Sequence, residues 1–155
     1  MAADLTLHVE RVLPASPSLV FKMHAEPDLL ARWWGPKGFS APSIELDLRV
    51  GGDYRIAMQP PAGDRFFLSG TFRDVDPGTR LSYTFRWEPP DPDDRETVVV
   101  FSLRDLGEST ALTVDQGPFV TDARRALHEQ GWTESLDRLQ ELITSRHRSG
   151  RDGVS

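Results

Sequence analysis

Two hydrophobic periods divide the chain. Leu5, Leu7 and Val9 alternate with Thr6, His8 and Glu10, which predicts a first strand with one apolar face, ending near Pro14. Ser16 followed by Pro17 has the form of an N-cap with proline at the first helical position. Leu19, Val20 and Met23 then supply the apolar side of a short helix. Glu26-Pro27-Asp28 signals a second helix, continuing through Leu29, Leu30 and Trp33 to a stop at Gly35-Pro36. From Phe39 to Gln116 the period becomes two. Ile44, Leu46, Leu48 and Val50 alternate, Gly51-Gly52-Asp53 turns the chain, and Tyr54, Ile56 and Met58 alternate again, which predicts a hairpin. Further strands are predicted at Arg65 to Val75, Arg80 to Trp87, Glu96 to Asp105 and Thr110 to Gln116. Their separators, Asp76-Pro77-Gly78, Pro89 to Asp94 and Gly107-Glu108, are built from turn formers. Connections this short favour antiparallel neighbours, hence a meander of about six strands.

After the meander the period returns to that of a helix. At 100° per residue, Trp132, Leu136, Leu139 and Ile143 fall within about 60° of one another, while Asp137, Arg138 and Glu141 lie off that stripe. Such a helix needs an apolar surface to cover. The alternating sets that can form it are Tyr54, Ile56 and Met58; Leu81, Tyr83, Phe85 and Trp87; and Thr97, Val99, Phe101 and Leu103. Ala123, Ala126 and Leu127 point roughly opposite to Trp132, so the apolar face changes at Gly131. Either the helix bends there, with glycine serving close packing, or its first turns pack against something on the outer side.

With 155 residues the chain suits one domain with a sizeable core. Apolar residues at 38% and charged residues at 27% give a globular balance, and a net charge of −6 argues against a phosphate-binding face. No nucleic-acid partner is expected. The basic cluster Arg146-His147-Arg148 with Arg151 reads as a frayed end. The absence of cysteine removes disulfides, thiolate nucleophiles and cysteine metal sites together. No apolar stretch approaches the roughly 20 residues of a membrane span, and Met1 to Arg11 lacks a signal-peptide pattern, so a cytoplasmic location is expected. No HxH or HExxH pair, P-loop, Gly-x-Ser-x-Gly or GxGxxG occurs, so no metal, cofactor or catalytic residue is assigned.

Five pieces carry a resemblance: Pro14-Ala15-Ser16-Pro17; Leu30-Ala31-Arg32-Trp33-Trp34-Gly35-Pro36; Gly51-Gly52-Asp53-Tyr54-Arg55; Gly70-Thr71-Phe72 leading to Asp76-Pro77; and His128 through Leu139. In this order, across Leu5 to Ile143, they resemble the START-like helix-grip (SRPBCC) superfamily, in the branch named for homologues of the heat-shock chaperone ATPase activator. The resemblance implies an α+β fold in which a curved antiparallel sheet of about six to seven strands wraps a long C-terminal helix, with two short helices after the first strand. It implies a single domain over residues 4–146, followed by a flexible tail at 147–155. It also implies a cavity between sheet and helix for a small hydrophobic molecule, but no one activity. Lipid carriers, polyketide cyclases, chaperone co-activators and resistance proteins share the fold.

The expected wall of that cavity is Trp34, Phe39, Tyr54, Met58, Tyr83 and Phe85, with Trp87, Phe101, His128, Glu129, Trp132 and Leu136. Adjacent Trp33 and Trp34 cannot share one core position, so one is expected in the core and the other near the cavity mouth. His128 and Glu129 flank the Trp132 stripe by about 40° and 60°, which suits a polar ligand head or proton transfer. The leading reading is a hydrophobic ligand-binding protein. A cyclase or aromatase is the alternative, requiring two inward ionisable groups from His128, Glu129, Arg86 and Asp115. Chaperone co-activation through an outer surface ranks last, and oligomeric state is left open.

Overall fold

A computed structural model of the chain describes residues 5–92 and 94–154, with side chains as far as 145. The order is β1 (Leu5–Leu13), α1 (Pro17–Ala25), α2 (Pro27–Leu30), β2 (Ser40–Leu46), β3 (Asp53–Gln59), β4 (Phe66–Asp76), β5 (Arg80–Glu88), β6 (Thr97–Asp105), β7 (Thr110–Phe119) and α3 (Asp122–Val154). All seven strands join one antiparallel sheet in the order β1-β7-β6-β5-β4-β3-β2. β1 and β2 are therefore opposite edges, and α1 with α2 carries the chain from one to the other. The helix assigned as α3 runs on through the stretch read as a tail; the side chains of the basic cluster there lie outside the described residues.

α1 starts as its sequence predicts. Ser16 is extended, its hydroxyl accepts from the Leu19 amide at 3.2 Å, and Pro17 opens the helix without losing an intrahelical bond. α2 is shorter than the pattern suggests and ends at Leu30, so Trp33 and Trp34 sit in the turns after it. The β2–β3 hairpin is also shorter. Leu48 and Val50 leave the ladder, and Val50 is 65% exposed. The reason is the doubled-back loop: a Cβ on Gly52 would stand 2.0 Å from the Asp47 carbonyl oxygen, and Gly51 has φ +85°. Gly51 and Gly52 bond sideways to Phe72 of β4 instead of extending β2.

The α3 stripe packs as its period requires, with Trp132 6%, Leu136 0%, Leu139 0% and Ile143 2% exposed. Ile56, Leu81, Tyr83, Val99 and Phe101 of the sheet belong to the same buried cluster. One polar relay crosses this interface. The Trp132 indole donates to Gln116 Oε1 at 2.8 Å, and Gln116 Nε2 donates to Thr97 Oγ1 at 2.9 Å, so a buried glutamine on β7 is satisfied on both sides. Asp137 and Arg138, which the helical wheel places off the packing face, tie down its flanks. Asp137 takes a bond from Arg11 of β1 at 2.7 Å, and Gln140 takes another from the same guanidinium at 3.0 Å.

Trp132→Ala is expected to cost about 3–5 kcal/mol, as for other buried aromatic truncations. Gln116→Leu, which strips the indole of its acceptor, should cost about 1–3 kcal/mol. Urea unfolding monitored by circular dichroism measures both.

Candidate functional site: a hollow beneath the C-terminal helix

The segment that leaves α2 ends with several backbone groups that no strand or helix satisfies, and α3 satisfies them. Arg138 Nη1 donates to the carbonyls of Trp34 (3.1 Å), Gly35 (2.9 Å), Pro36 (3.3 Å) and Phe39 (3.4 Å), and Nη2 to that of Arg32 (3.3 Å). Partial burial lowers the Arg138 pKa, yet a guanidinium stays charged at any ordinary pH. Ser135 Oγ accepts from the Gly35 amide at 3.0 Å, and Glu134 Oε1 from the Lys37 amide at 3.0 Å. This clamp sets the two neighbouring tryptophans apart. Trp33 is fully buried and donates to the Met23 carbonyl at 2.9 Å. Trp34 meets Trp132 edge to face, with centroids 5.3 Å apart at 83°.

Beyond Trp34 the sheet and α3 part, leaving a hollow of about 430 Å³. Met58, Leu68, Phe85 and Trp87 line its sheet side; Phe39, Phe66 and Trp34 line one wall; His128, Gly131, Trp132 and Ser135 line the helix side. Leu127, 56% exposed, borders it at the first turns of α3. The change of apolar face at Gly131 thus falls within the hollow's border: Leu127 and His128 line it before Gly131, Trp132 and Ser135 after it, and Leu136, Leu139 and Ile143 lie in the core. A Cβ on Gly131 would meet only Pro36 Cγ, at 3.9 Å, so close packing does not demand glycine here. The Pro89 to Asp94 stretch, read as a solvent loop, also borders the opening. Arg124 pairs with Asp91 and Asp94 across it, and the Asp91 amide donates to Asp94 Oδ2 at 2.7 Å.

Of the twelve side chains expected at the wall, seven border the hollow: Trp34, Phe39, Met58, Phe85, Trp87, His128 and Trp132. Tyr54 and Tyr83 border a separate space of about 10 Å³ that they share with His24 and Trp34. Phe101 and Leu136 are 0% exposed within filled core. Glu129 turns to Arg125 at 2.5 Å. Strand alternation and the helical wheel assign a face but not a depth along it, which accounts for Tyr54, Tyr83, Phe101 and Leu136, while Glu129, about 60° from the stripe, is drawn to Arg125. Phe66, Ser135 and Arg124 were missed. Ser135 had a readable signal, since it stands three residues after Trp132, one turn along the same side of the helix.

A family model, Activator of Hsp90 ATPase homolog 1-like protein, matches residues 14–144. The chain belongs to that family. A protein of Nitrosomonas europaea is 30% identical, with 96% of this chain and 99% of that one covered and a TM-score of 0.79. The AHSA1 protein of Silicibacter pomeroyi is also 30% identical, with coverage of 92% and 99% and a TM-score of 0.79. A solution structure from Arthrobacter aurescens, 20% identical over 92% of this chain and 87% of that one, shares the fold with a TM-score of 0.81. No curated protein matches.

The ionisable groups of this family member divide between hollow and surface. His128 lies among Phe85, Trp87 and Phe119, and its Nε2 accepts from the Trp87 indole at 3.2 Å. Desolvation first, and the Arg124 charge second, lower its pKa to about 4, so the ring is neutral with its proton on Nδ1. Arg86 pairs with Glu96 at 3.8 Å, Asp115 with His8, and Glu129 with Arg125, all with substantially exposed side chains. Of the four groups the cyclase reading draws on, His128 alone borders the hollow. His24, isolated in the sequence, is buried among Trp33, Trp34, Tyr83 and Phe101. Its Nε2 shares a hydrogen bond with the Tyr83 hydroxyl at 2.8 Å, its Nδ1 has no partner among the described residues, and burial lowers its pKa to about 4. Among the described residues no group of three or more His, Asp or Glu could hold a metal ion.

Both histidines are depressed from 6.5 to about 4 in the folded chain, so the unfolded chain binds more protons between those values. Their contribution to stability is complete above pH 6.5 and is lost as pH falls toward 4. His24 alone should account for about 3 kcal/mol. Urea unfolding at pH 7 and at pH 4.5 measures the loss, and His24→Gln should flatten it.

Proposed function

We propose that this protein encloses one small, largely apolar molecule between its sheet and α3. The observation that carries this reading is the hollow of about 430 Å³, bordered by Trp34, Phe39, Phe66, Phe85, Trp87 and Trp132. Small-molecule sites are concave, mostly apolar and typically about 300–1,000 Å³. The hollow is also held open: Arg138 fixes the backbone behind Trp34, and Gly131 leaves its side of the helix uncovered.

Family and fold support a ligand-binding or co-chaperone-like domain. Between these two, the hollow favours ligand binding, whereas the co-chaperone reading rests on the family description. The cyclase reading requires two ionisable groups facing the ligand, and His128 is neutral with one nitrogen already engaged. No described helix is long and apolar enough to cross a membrane; we take the cytoplasm as the setting.

Isothermal titration against a panel of hydrophobic metabolites, preceded by native mass spectrometry to find those retained, tests the reading. Gly131→Leu should fill the hollow and weaken the best binder by tenfold or more. The melting temperature should hold or rise, because leucine is the better helix former by about 1 kcal/mol. Undiminished binding by Gly131→Leu would overturn the proposal.

A further inference from the structure

Three of the four tryptophans direct their indole N–H to a protein acceptor: Trp33 to the Met23 carbonyl, Trp87 to His128 Nε2 and Trp132 to Gln116 Oε1. Trp34 makes no such bond to any described residue, although it is only 5% exposed and borders the hollow. An indole nitrogen is a donor only, and a buried donor without a partner is costly to leave so. The side-chain nitrogen fully shut off without a partner among the described residues is His24 Nδ1. The Trp34 nitrogen is therefore not fully shut off, and of the two spaces that Trp34 borders, the hollow is the one with room for a ligand.

Ser135 repeats the pattern from the helix side. It is 4% exposed and borders the hollow, and its oxygen accepts from the Gly35 amide, which leaves the hydroxyl hydrogen without a described acceptor. Gly35 follows Trp34 directly, so the two donors belong to neighbouring parts of the wall. The acceptor that His128 could offer through Nε2 is already taken by Trp87. Away from the Asp91 and Asp94 carboxylates at the opening, the wall groups without a described acceptor are thus donors: the Trp34 indole and the Ser135 hydroxyl, with the His128 Nδ1–H beside them. Charge is handled separately at the opening, where Arg124 is engaged by Asp91 and Asp94. An anionic ligand group would lose its hydration without gaining an uncommitted cation.

We propose that the hollow selects apolar molecules bearing an uncharged carbonyl oxygen, which accepts from Trp34 Nε1 and from the Ser135 hydroxyl. This rests on the hollow being a binding site, and it narrows the ligand class to ketone-like aromatic or alicyclic compounds.

Three probes of one shape test it: acetonaphthone, its hydrocarbon isostere isopropenylnaphthalene, and naphthoate. In the wild type the ketone should bind about five- to tenfold tighter than the hydrocarbon, a net effect of the size hydrogen bonds give. Trp34→Phe keeps an aromatic ring and removes the donor; it should reduce that ratio about threefold, as should Ser135→Ala, and the double variant should bring it near unity. Hydrocarbon binding by each variant shows that the hollow is intact. The Trp34 indole resonance, identified by its loss in Trp34→Phe, should shift with the ketone and not with the hydrocarbon. If both probes bind and neither the ratio nor that resonance responds, the donor assignment is overturned while the binding reading stands. Naphthoate binding tighter than the ketone would overturn the uncharged class. If no probe binds to the wild type, both this inference and the binding reading fall.

Discussion

A single helix has to cover a sheet face wider than itself. Seven strands at about 4.8 Å spacing span roughly 30 Å, whereas a helix with its side chains is about 10–12 Å across. Curvature narrows the gap without closing it. α3 covers the part where Trp132, Leu136, Leu139 and Ile143 reach the sheet, and the turns after α2 cover part of the remainder. The hollow is the part that neither reaches. It therefore follows from the ratio of helix to sheet width and from where α3 is pinned, more than from any one lining residue.

The pins are polar, and each has partners on both sides. Gln116 joins Trp132 to Thr97 at the centre of the interface, Arg11 joins β1 to Asp137 and Gln140, and Arg138 gathers five carbonyls of the segment after α2. A buried polar group that is fully satisfied specifies one arrangement where apolar contacts alone would tolerate several. Here that arrangement keeps Trp34 between the core and the hollow. One side of its ring meets the His24 cluster, and another meets Trp132.

Most of the architecture was legible because it follows from periodicity. Strand faces, the Ser16 cap and the α3 stripe are local patterns, and each appears where its pattern predicts except at the end of β2, where Leu48 and Val50 leave the ladder. Depth was not legible. Tyr54, Met58 and Phe101 alternate alike, yet Met58 borders the hollow, Tyr54 borders a smaller space and Phe101 lies in filled core. Long-range polar pairings were equally hidden. Arg138 reads as a solvent-facing charge on a helical wheel, and its partners lie about a hundred residues earlier in the chain. His24 gave no signal at all, because an isolated histidine on a short helix is marked as buried only by the rings that surround it. The Pro89 to Asp94 loop has the composition of any exposed turn, and its place at the opening depends on Arg124.

The pairing of β1 with β7 has a consequence for how the molecule is assembled. His8 and Asp115 are neighbours across that pair yet stand 107 positions apart in the chain. During synthesis β1 emerges before β2 to β7 and, among the described residues, pairs with β7 alone, the last of the seven strands to leave the ribosome. Closing so long a loop is slow compared with forming the local hairpins from β2 to β7, and an unpaired apolar strand is open to wrong partners meanwhile. The polar residues alternating along β1, Thr6, His8 and Glu10, keep one side of that strand hydrated while it waits. Of the seven strands, β1 is thus among the last to find its place.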